Sequence, residues 1–354
     1  MSAADELRVV LAGAASGVDP GRLARRYGAS ALLRAAPSAL ERMGALPALI
    51  DALRLARDSD AVAYRGELAR RGIACTTLSE DGYPPRLREL HDPPLAIFTL
   101  GPATDALRAE LRSAAIVGSR RAAEGGLRLA ERLAAAVAAS GGLVVSGLAL
   151  GIDAAAHEGA LAGGGTTVAV LGCGVDVPYP RRNRAIYARI AESGLILSEY
   201  PPGTPPAPWR FPARNRLIAA LADVTVVVEA RARSGALITA DHALDLGRDV
   251  LAVPGSPGVA AAAGTNGLLK SGAGLIEGPD DLCGWLGLDP PPEPEPPDDD
   301  GDRRLLAALA EGPAHPDALS AALGVGAGSV VAGLTRLQMA GWAAPDGQGR
   351  WRAG

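Results

Sequence analysis

The stretch AAIVGSRRAAEGG, residues 114–126, reads as a buried strand running into Gly-Ser-Arg-Arg and then into a helix. A dinucleotide-binding protein places its phosphate loop at such a turn, but the G-x-G-x-x-G spacing is absent and two arginines stand in its place. Outward from this turn, apolar runs rich in Val, Ile and Leu recur at 114–118, 142–147, 166–172, 194–199, 224–230 and 249–255. Amphipathic patterns fill the gaps at 124–140, 152–162, 181–192, 214–221 and 236–246. Continuous apolar strands alternating with helices of this length predict α/β architecture: a Rossmann-like, doubly wound, mainly parallel sheet covered on both faces.

The flanks read differently. Residues 1–72 alternate short helical patterns with turn signals, which predicts a small all-helical domain of four or five helices; its RMGALP turn faintly resembles SAM or helix-hairpin-helix modules. Residues 73–106 carry the proline pairs 84–85 and 93–94 and read as a lead-in connector, so the sheet domain is placed at 73–287. Residues 288–302 are proline-rich and acidic, composition that cannot bury apolar surface, and predict an extended linker. Residues 303–354 show three helices and a Gly-containing hairpin, the winged-helix order. The third of these helices offers only Arg336 and Gln338 as long polar groups, too few for sequence-specific DNA reading.

At 354 residues the chain is long enough for two or three domains. Its formal charge is −4, yet 289–302 alone holds seven acidic and no basic residues, leaving the remainder at +3. The one lysine is Lys270, so nearly all positive charge is arginine. The start MSAADELR lacks a basic, apolar leader and no run of about 18 apolar residues occurs, which leads us to expect a soluble cytoplasmic protein without membrane association. Cys75, Cys173 and Cys283 have no C-x-x-C spacing, and His91, His242 and His315 have no metal-ligand partners at suitable spacing; no metal or cofactor is expected.

In open parallel sheets the ligand crevice lies beyond the carboxyl ends of the strands. There the chain places Gly118, Ser119, Arg120 and Arg121, then Ser146, Gly147 and Gly151, then Tyr179, Arg181 and Asn183, then Arg210 and Phe211, and finally Ser234, Gly235 and Thr239. Gly147 and Gly151, flanking the turn into the helix at Ile152, predict an oxyanion seat of main-chain N–H groups. Eight arginines, 120, 121, 181, 182, 184, 210, 214 and 216, follow strand ends with few acids between them, more cations than a mononucleotide requires. Aromatic residues make up 3% of the chain, yet Tyr179, Tyr200, Trp209 and Phe211 gather among these arginines. Rings beside a basic groove hold single-stranded nucleic acid without sequence preference, so an unpaired strand is the expected ligand. Ser146, Asp153 and His157 are close in sequence, but Asp153 and His157 at i, i+4 predict a local contact rather than a triad; neither a nucleophile elbow nor a Walker sequence is present. No catalytic constellation is found.

The motifs GSR at 118–120, SGLALGIDAAAH at 146–157, GCGVDVPYPRRN at 172–183, SEYPPGTPP at 198–206, FPARNRLIAAL at 211–221, SGALITA at 234–240 and GRDVLAVPGSP at 247–257, in this order, resemble the DNA-processing protein A (DprA, or Smf) family over about residues 83–282. The resemblance implies a bacterial single-stranded-DNA-binding protein with an extended Rossmann fold, acting as a homodimer. It implies a protein that receives incoming single strands in natural transformation, protects them and helps load the RecA recombinase. The family's Gly-Ser-Arg contact falls on Gly118, Ser119 and Arg120, its basic-aromatic pair on Arg210 and Phe211, and its R-N-R triplet on Arg214, Asn215 and Arg216. The chain departs mildly from the family at IFTLG and SGAL, and arginine must replace the family's lysine contacts. The runner-up is a nucleotide-handling Rossmann enzyme of the phosphoribohydrolase (lysine-decarboxylase-like) type, whose P-G-G-x-G-T-x-x-E motif is here only PGSPG.

Overall fold

A computed structural model describes residues 2–108, 110–289, 297, 299–346 and 349–353. Nine strands form one sheet: β1 (Ile73–Thr77), β2 (Ala96–Leu100), β3 (Ser113–Val117), β4 (Leu143–Ser146), β5 (Thr166–Val170), β6 (Leu195–Ser198), β7 (Val224–Val227), β8 (Asp249–Ala252) and β9 (Gly274–Leu275). Their order is β1-β2-β6-β5-β4-β3-β7-β8-β9. From β6 to β9 every pairing is parallel, while β1–β2 and β2–β6 are antiparallel. The six apolar runs thus become β3 to β8, and the direction of winding reverses between β3 and β7. That reversal opens a crevice above the sheet.

The lead-in is more than a connector. IACTT and AIFTL pair as a five-residue antiparallel ladder that extends the sheet by two strands, with Ala96, Ile97 and Phe98 buried. The proline pairs lie between these strands, where the Tyr83 hydroxyl donates to the Pro94 carbonyl at 2.8 Å and pins the excursion.

Each face of the sheet has its own apolar layer. One joins Val117, Val145, Val170 and Val227 to the helix Arg210–Leu221 and to Ala236, Ala240 and Ala243; the other joins Ile116, Val144 and Val226 to the helices Glu124–Ala139 and Ile152–Ala162. The helix Arg210–Leu221 begins four residues before the expected 214.

Six helices, one more than expected at most, occupy Ala3–Ser16, Gly21–Tyr27, Ala29–Arg34, Pro37–Arg42, Pro47–Ala56 and Ala61–Arg70. Pro37 and Pro47 start their helices, where a missing N–H costs nothing, and Asp60 caps Val62 and Ala63. Buried Glu6 accepts from the Ser79 N–H and hydroxyl at 3.0 and 2.7 Å, fastening this helical segment to the strand β1 side of the same compact unit.

A second compact unit holds the helices Asp300–Ala310, Pro316–Leu323 and Ala327–Met339 and the strands β10 (Ala343–Pro345) and β11 (Trp351–Ala353). Its first helix starts inside the stretch expected as linker, because Asp299 caps it by accepting from the Asp302 N–H. Of the rest of that predicted linker, 290–296 and 298 lie outside the described residues. Arg336 is bonded to the buried Asp302 carboxylate at 2.7 and 2.8 Å, which leaves the third helix with still less to offer a base edge. Among the described residues no single helix is long and apolar enough to cross a membrane.

Candidate nucleic-acid interface

The strand ends converge at the β3/β7 crevice, and the Gly118–Ala123 turn is fastened there at two points. The Ser119 N–H donates to the Glu229 carbonyl at 2.7 Å and the Ala123 N–H to the Glu229 carboxylate at 2.9 Å. Gly151 crosses directly beneath. Its φ is 81°, and a Cβ on it would stand 2.2 Å from the Ser119 carbonyl oxygen, so only glycine lets the β3 and β4 loops touch.

The expected main-chain oxyanion seat is closed. The Asp153 carboxylate accepts from the N–H groups of Gly147 and Ala149 at 3.2 and 3.4 Å, and the Ile152 N–H is taken by the Ser119 carbonyl at 3.2 Å. A carboxyl side chain thus occupies the place at the helix start where a phosphate would sit. Burial pushes the Asp153 carboxyl up, against the pull of the Arg214 guanidinium facing it.

Arg214 is only 4% exposed. It donates to the Gly147 carbonyl at 2.8 Å and to the Val170 carbonyl, tying the ends of β4 and β5 together. Burial pulls its pKa down to about 10, so it stays charged at neutral pH. Arg216 is also engaged: burial works against its charge, but Glu199 (2.7 and 2.9 Å) and Asp92 (3.0 Å) more than offset this and hold its pKa above the usual range. The expectation of eight arginines with few acids among them is therefore corrected for these two, which are fold-holding cations.

Several other expected contacts are likewise turned inward. The Ser146 hydroxyl donates to the Ile116 carbonyl at 2.6 Å, and the Asn183 amide donates to the carbonyls of Leu148 and Ala149 at 2.9 and 3.1 Å. Asn183 thereby supports Leu148, whose φ of 56° is a left-handed conformation unusual for a branched side chain. Thr239 is buried, Asn215 donates to the Gly235 carbonyl at 3.2 Å, and the Ser234 hydroxyl caps the helix Gly235–Asp245.

The Asp153–His157 contact does not form. His157 reaches Thr167 on β5 at 2.8 Å; because the Thr167 hydroxyl donates to the Val144 carbonyl, Nδ1 of His157 is the donor in that bond. Burial pulls the imidazole down to about 3, so it is neutral. Ser146, Asp153 and His157 each serve the scaffold, and among the described residues no group of three or more His, Cys, Asp or Glu could hold a metal ion.

What remains open is basic and aromatic. The Arg120 guanidinium lies 5.6 Å from the Phe211 ring centroid, and Phe211 stacks on Tyr179 at 5.4 Å with 21° between planes. Tyr179 is 40% exposed. Next along the chain, Arg210 lies 4.8 Å from the Tyr200 ring and 4.9 Å from the Trp209 ring. Arg121, Arg181, Arg182 and Arg184 are exposed, and among the described residues none of these four, nor Arg120 or Arg210, has a carboxylate partner. Arg231 and Arg233, exposed after β7, are not among the arginines expected from the sequence. Their position after a strand end was the signal that could have found them. A cavity of about 300 Å³ lined by Gly118, Arg120, Phe211, Asn215, Ser234 and Gly235 forms the floor of this surface.

Comparison with known proteins places the chain in a family. The family profile of DNA recombination-mediator protein A matches residues 74–287, and that of the DprA winged helix domain matches 279–349. The Smf protein of Synechocystis is 36% identical over 303 residues, covering 75% of this chain and 76% of that protein. The X-ray structure of DNA processing protein A from Streptococcus pneumoniae superposes with a TM-score of 0.66 at 30% identity, covering 80% of this chain and 98% of that one. The structure of DNA processing protein A from Helicobacter pylori, described for its single-stranded DNA binding mode, gives 0.53 at 32% identity, covering 60% and 94%. A profile spanning most of the sheet, a second on the tail and relatives matched over most of their length lead to one conclusion: the chain belongs to the DNA recombination-mediator protein A family, the DprA/Smf proteins.

Proposed function

We propose that this protein binds single-stranded DNA along the rim where β3, β5, β6 and β7 end, in the service of DNA uptake and recombination in the cytoplasm. The observation that carries the reading is the run of Arg120, Phe211, Tyr179 and Arg210 beside the exposed Arg121, Arg181 and Arg182, whose arginines form no salt bridge among the described residues. Guanidinium groups meet the phosphates while rings stack with bases of any kind, which favours an unpaired strand over a duplex. The likeness to a Helicobacter pylori protein named for its single-stranded DNA binding mode supports this. Gly118 and Gly235 form walls of the crevice; Ser119 stands at its rim; Ser146, Gly147, Gly151, Asn183, Arg214, Asn215, Arg216, Ser234 and Thr239 act by positioning.

Protection of incoming strands and help in loading the RecA recombinase are the roles that membership of a recombination-mediator family supports. A homodimer fits the β9 edge of the sheet, where half-exposed Leu275 adjoins half-exposed Trp285, whose ring packs against Gly274. Leu275→Asp is expected to shift the protein toward monomer in sedimentation.

An electrophoretic shift with single-stranded and duplex DNA of equal length tests the main reading. Preferential retention of the single strand, with affinity falling steeply from 50 to 300 mM salt, is expected, at about −0.7 in log-log slope per phosphate neutralised. Equal affinity at both salt concentrations, or preference for duplex, overturns it.

A further inference from the structure

The helix Arg210–Leu221 has a cavity on each side. Arg214, Asn215 and Ile218 face the crevice already described, whereas Ala213 and Arg216 face a second cavity of about 320 Å³, between this helix and the first two N-terminal helices. The second cavity has room for one nucleotide. Gly13, Asp19, Gly21 and Arg25 line one wall; Tyr200 and Trp209 line the other.

Trp209 is 55% exposed although it belongs to a packed aromatic group. Its ring meets Tyr200 edge-on at 6.3 Å and 85°, and the Arg210 guanidinium lies over it at 4.9 Å. The remaining ring surface is open. The cavity's acids are largely spoken for: Asp92 and Glu199 are bonded to Arg216, and Asp19 accepts from the Gly21 N–H at 2.8 Å. Arg25 is exposed and, among the described residues, its hydrogen bond is a 3.5 Å contact to the Pro93 carbonyl. Arg210 lacks a carboxylate among the described residues, and its Nε is buried without a partner.

We propose that this cavity is a second base site: a nucleotide of the same single strand stacks on the open side of Trp209, with Arg210 and Arg25 meeting its flanking phosphates. The argument is continuity. Trp209, Arg210 and Phe211 are consecutive residues at the start of one helix, and the Arg210 guanidinium lies over the Trp209 ring, so a strand that leaves the Phe211–Tyr179 platform and rounds the helix start past Arg210 meets Trp209 on the other side. The helical segment thereby becomes the far wall of the DNA path. The proposal rests on the single-strand reading above but can fail without it.

The test uses the full chain and oligothymidylates of increasing length. Titration should quench tryptophan fluorescence in the wild type, and Trp209→Phe should remove that quench with affinity retained, since phenylalanine still stacks. Trp209→Ala should weaken binding roughly 5- to 100-fold, with no loss for the shortest oligonucleotide that binds. Arg25→Ala should reduce the salt slope by about 0.7. Unchanged quenching in Trp209→Phe together with unchanged affinity in Trp209→Ala, while Arg120→Ala still weakens binding, overturns the second site and leaves the groove standing. Absence of single-strand binding by the wild type overturns both.

Discussion

Arg120 and Arg216 both follow strand ends in family motifs, and the structure predicts opposite phenotypes for their removal. Arg120 is exposed, lies over the face of Phe211 and forms no salt bridge among the described residues, so Arg120→Ala should cost roughly 0.5–1 kcal/mol of stability. If it neutralises one phosphate, its loss reduces the log-log salt slope by about 0.7. Referred to 1 M salt, where counterion release ceases to drive binding, that corresponds to about fourfold weaker binding at 150 mM and about eightfold at 50 mM. The penalty thus grows as salt falls, which distinguishes a lost phosphate contact from a lost shape. Arg216 is the reverse case. Its removal leaves Glu199 and Asp92 without their shared cation, and because Glu199 is only partly buried and Asp92 is open to solvent the loss should cost about 1–3 kcal/mol, below that of a fully buried pair. Arg216→Ala should therefore lower the melting temperature markedly while the fraction still folded binds with the wild-type salt slope. Denaturant unfolding and binding isotherms at four salt concentrations measure both quantities. A wild-type slope in Arg120→Ala, or a stable Arg216→Ala with a reduced slope, would refute the assignment of these two arginines.

Three further outcomes follow from the scaffold. Because burial holds His157 down to about 3 while the unfolded chain titrates near the ordinary 6.5, its contribution is intact above pH 6.5 and is lost as pH falls toward 3, at up to about 1.4 kcal/mol per unit; urea unfolding of His157→Gln should show about 2 kcal/mol less loss between pH 7 and pH 5 than the wild type, and parallel profiles would contradict this. Gly151→Ala brings a methyl within 2.2 Å of a fixed carbonyl at positive φ and should cost at least about 2 kcal/mol, with weakened single-strand binding as the Ser119–Arg120 turn shifts; wild-type behaviour in both assays would mean the two loops can separate freely. Asn183→Ala strands the Leu148 and Ala149 carbonyls and should destabilise by about 1–3 kcal/mol in thermal unfolding, an effect that Asn183→Asp cannot rescue because it has no amide to donate.

The parallel strands were legible because both of their faces are covered, which forces uninterrupted apolar runs such as VTVVVEA. β1 and β2 were not, since IACTT mixes polar and apolar residues and AIFTL follows closely on the Pro93–Pro94 pair that reads as connector. The helix Arg210–Leu221 was expected to begin after Pro212, yet that proline lies in the first turn, where its missing N–H has no intrahelical acceptor to lose. The platform of Tyr179, Phe211 and Arg120 was visible as a clustering of rare rings among arginines. The inward roles of Arg214 and Arg216 were not, because a guanidinium's fate depends on acceptors supplied by distant segments; Asp92 lies 124 residues from Arg216.

That dependence also explains the turn at Gly118. In a dinucleotide-binding protein the glycines free main-chain N–H groups for the pyrophosphate. Here Glu229, Ser119 and Asp153 consume those N–H groups internally, so the turn is rigid and has little main chain left to give an anion. On the single-strand reading proposed above, binding comes from side chains that reach outward, and a guanidinium over a phenyl ring does so without reading which base arrives. A main-chain seat would have fixed one phosphate at one point; a row of independent cations and rings accepts a backbone at any register. The replacement of G-x-G-x-x-G by Gly-Ser-Arg-Arg is thus the sequence signature of exchanging a point site for a track.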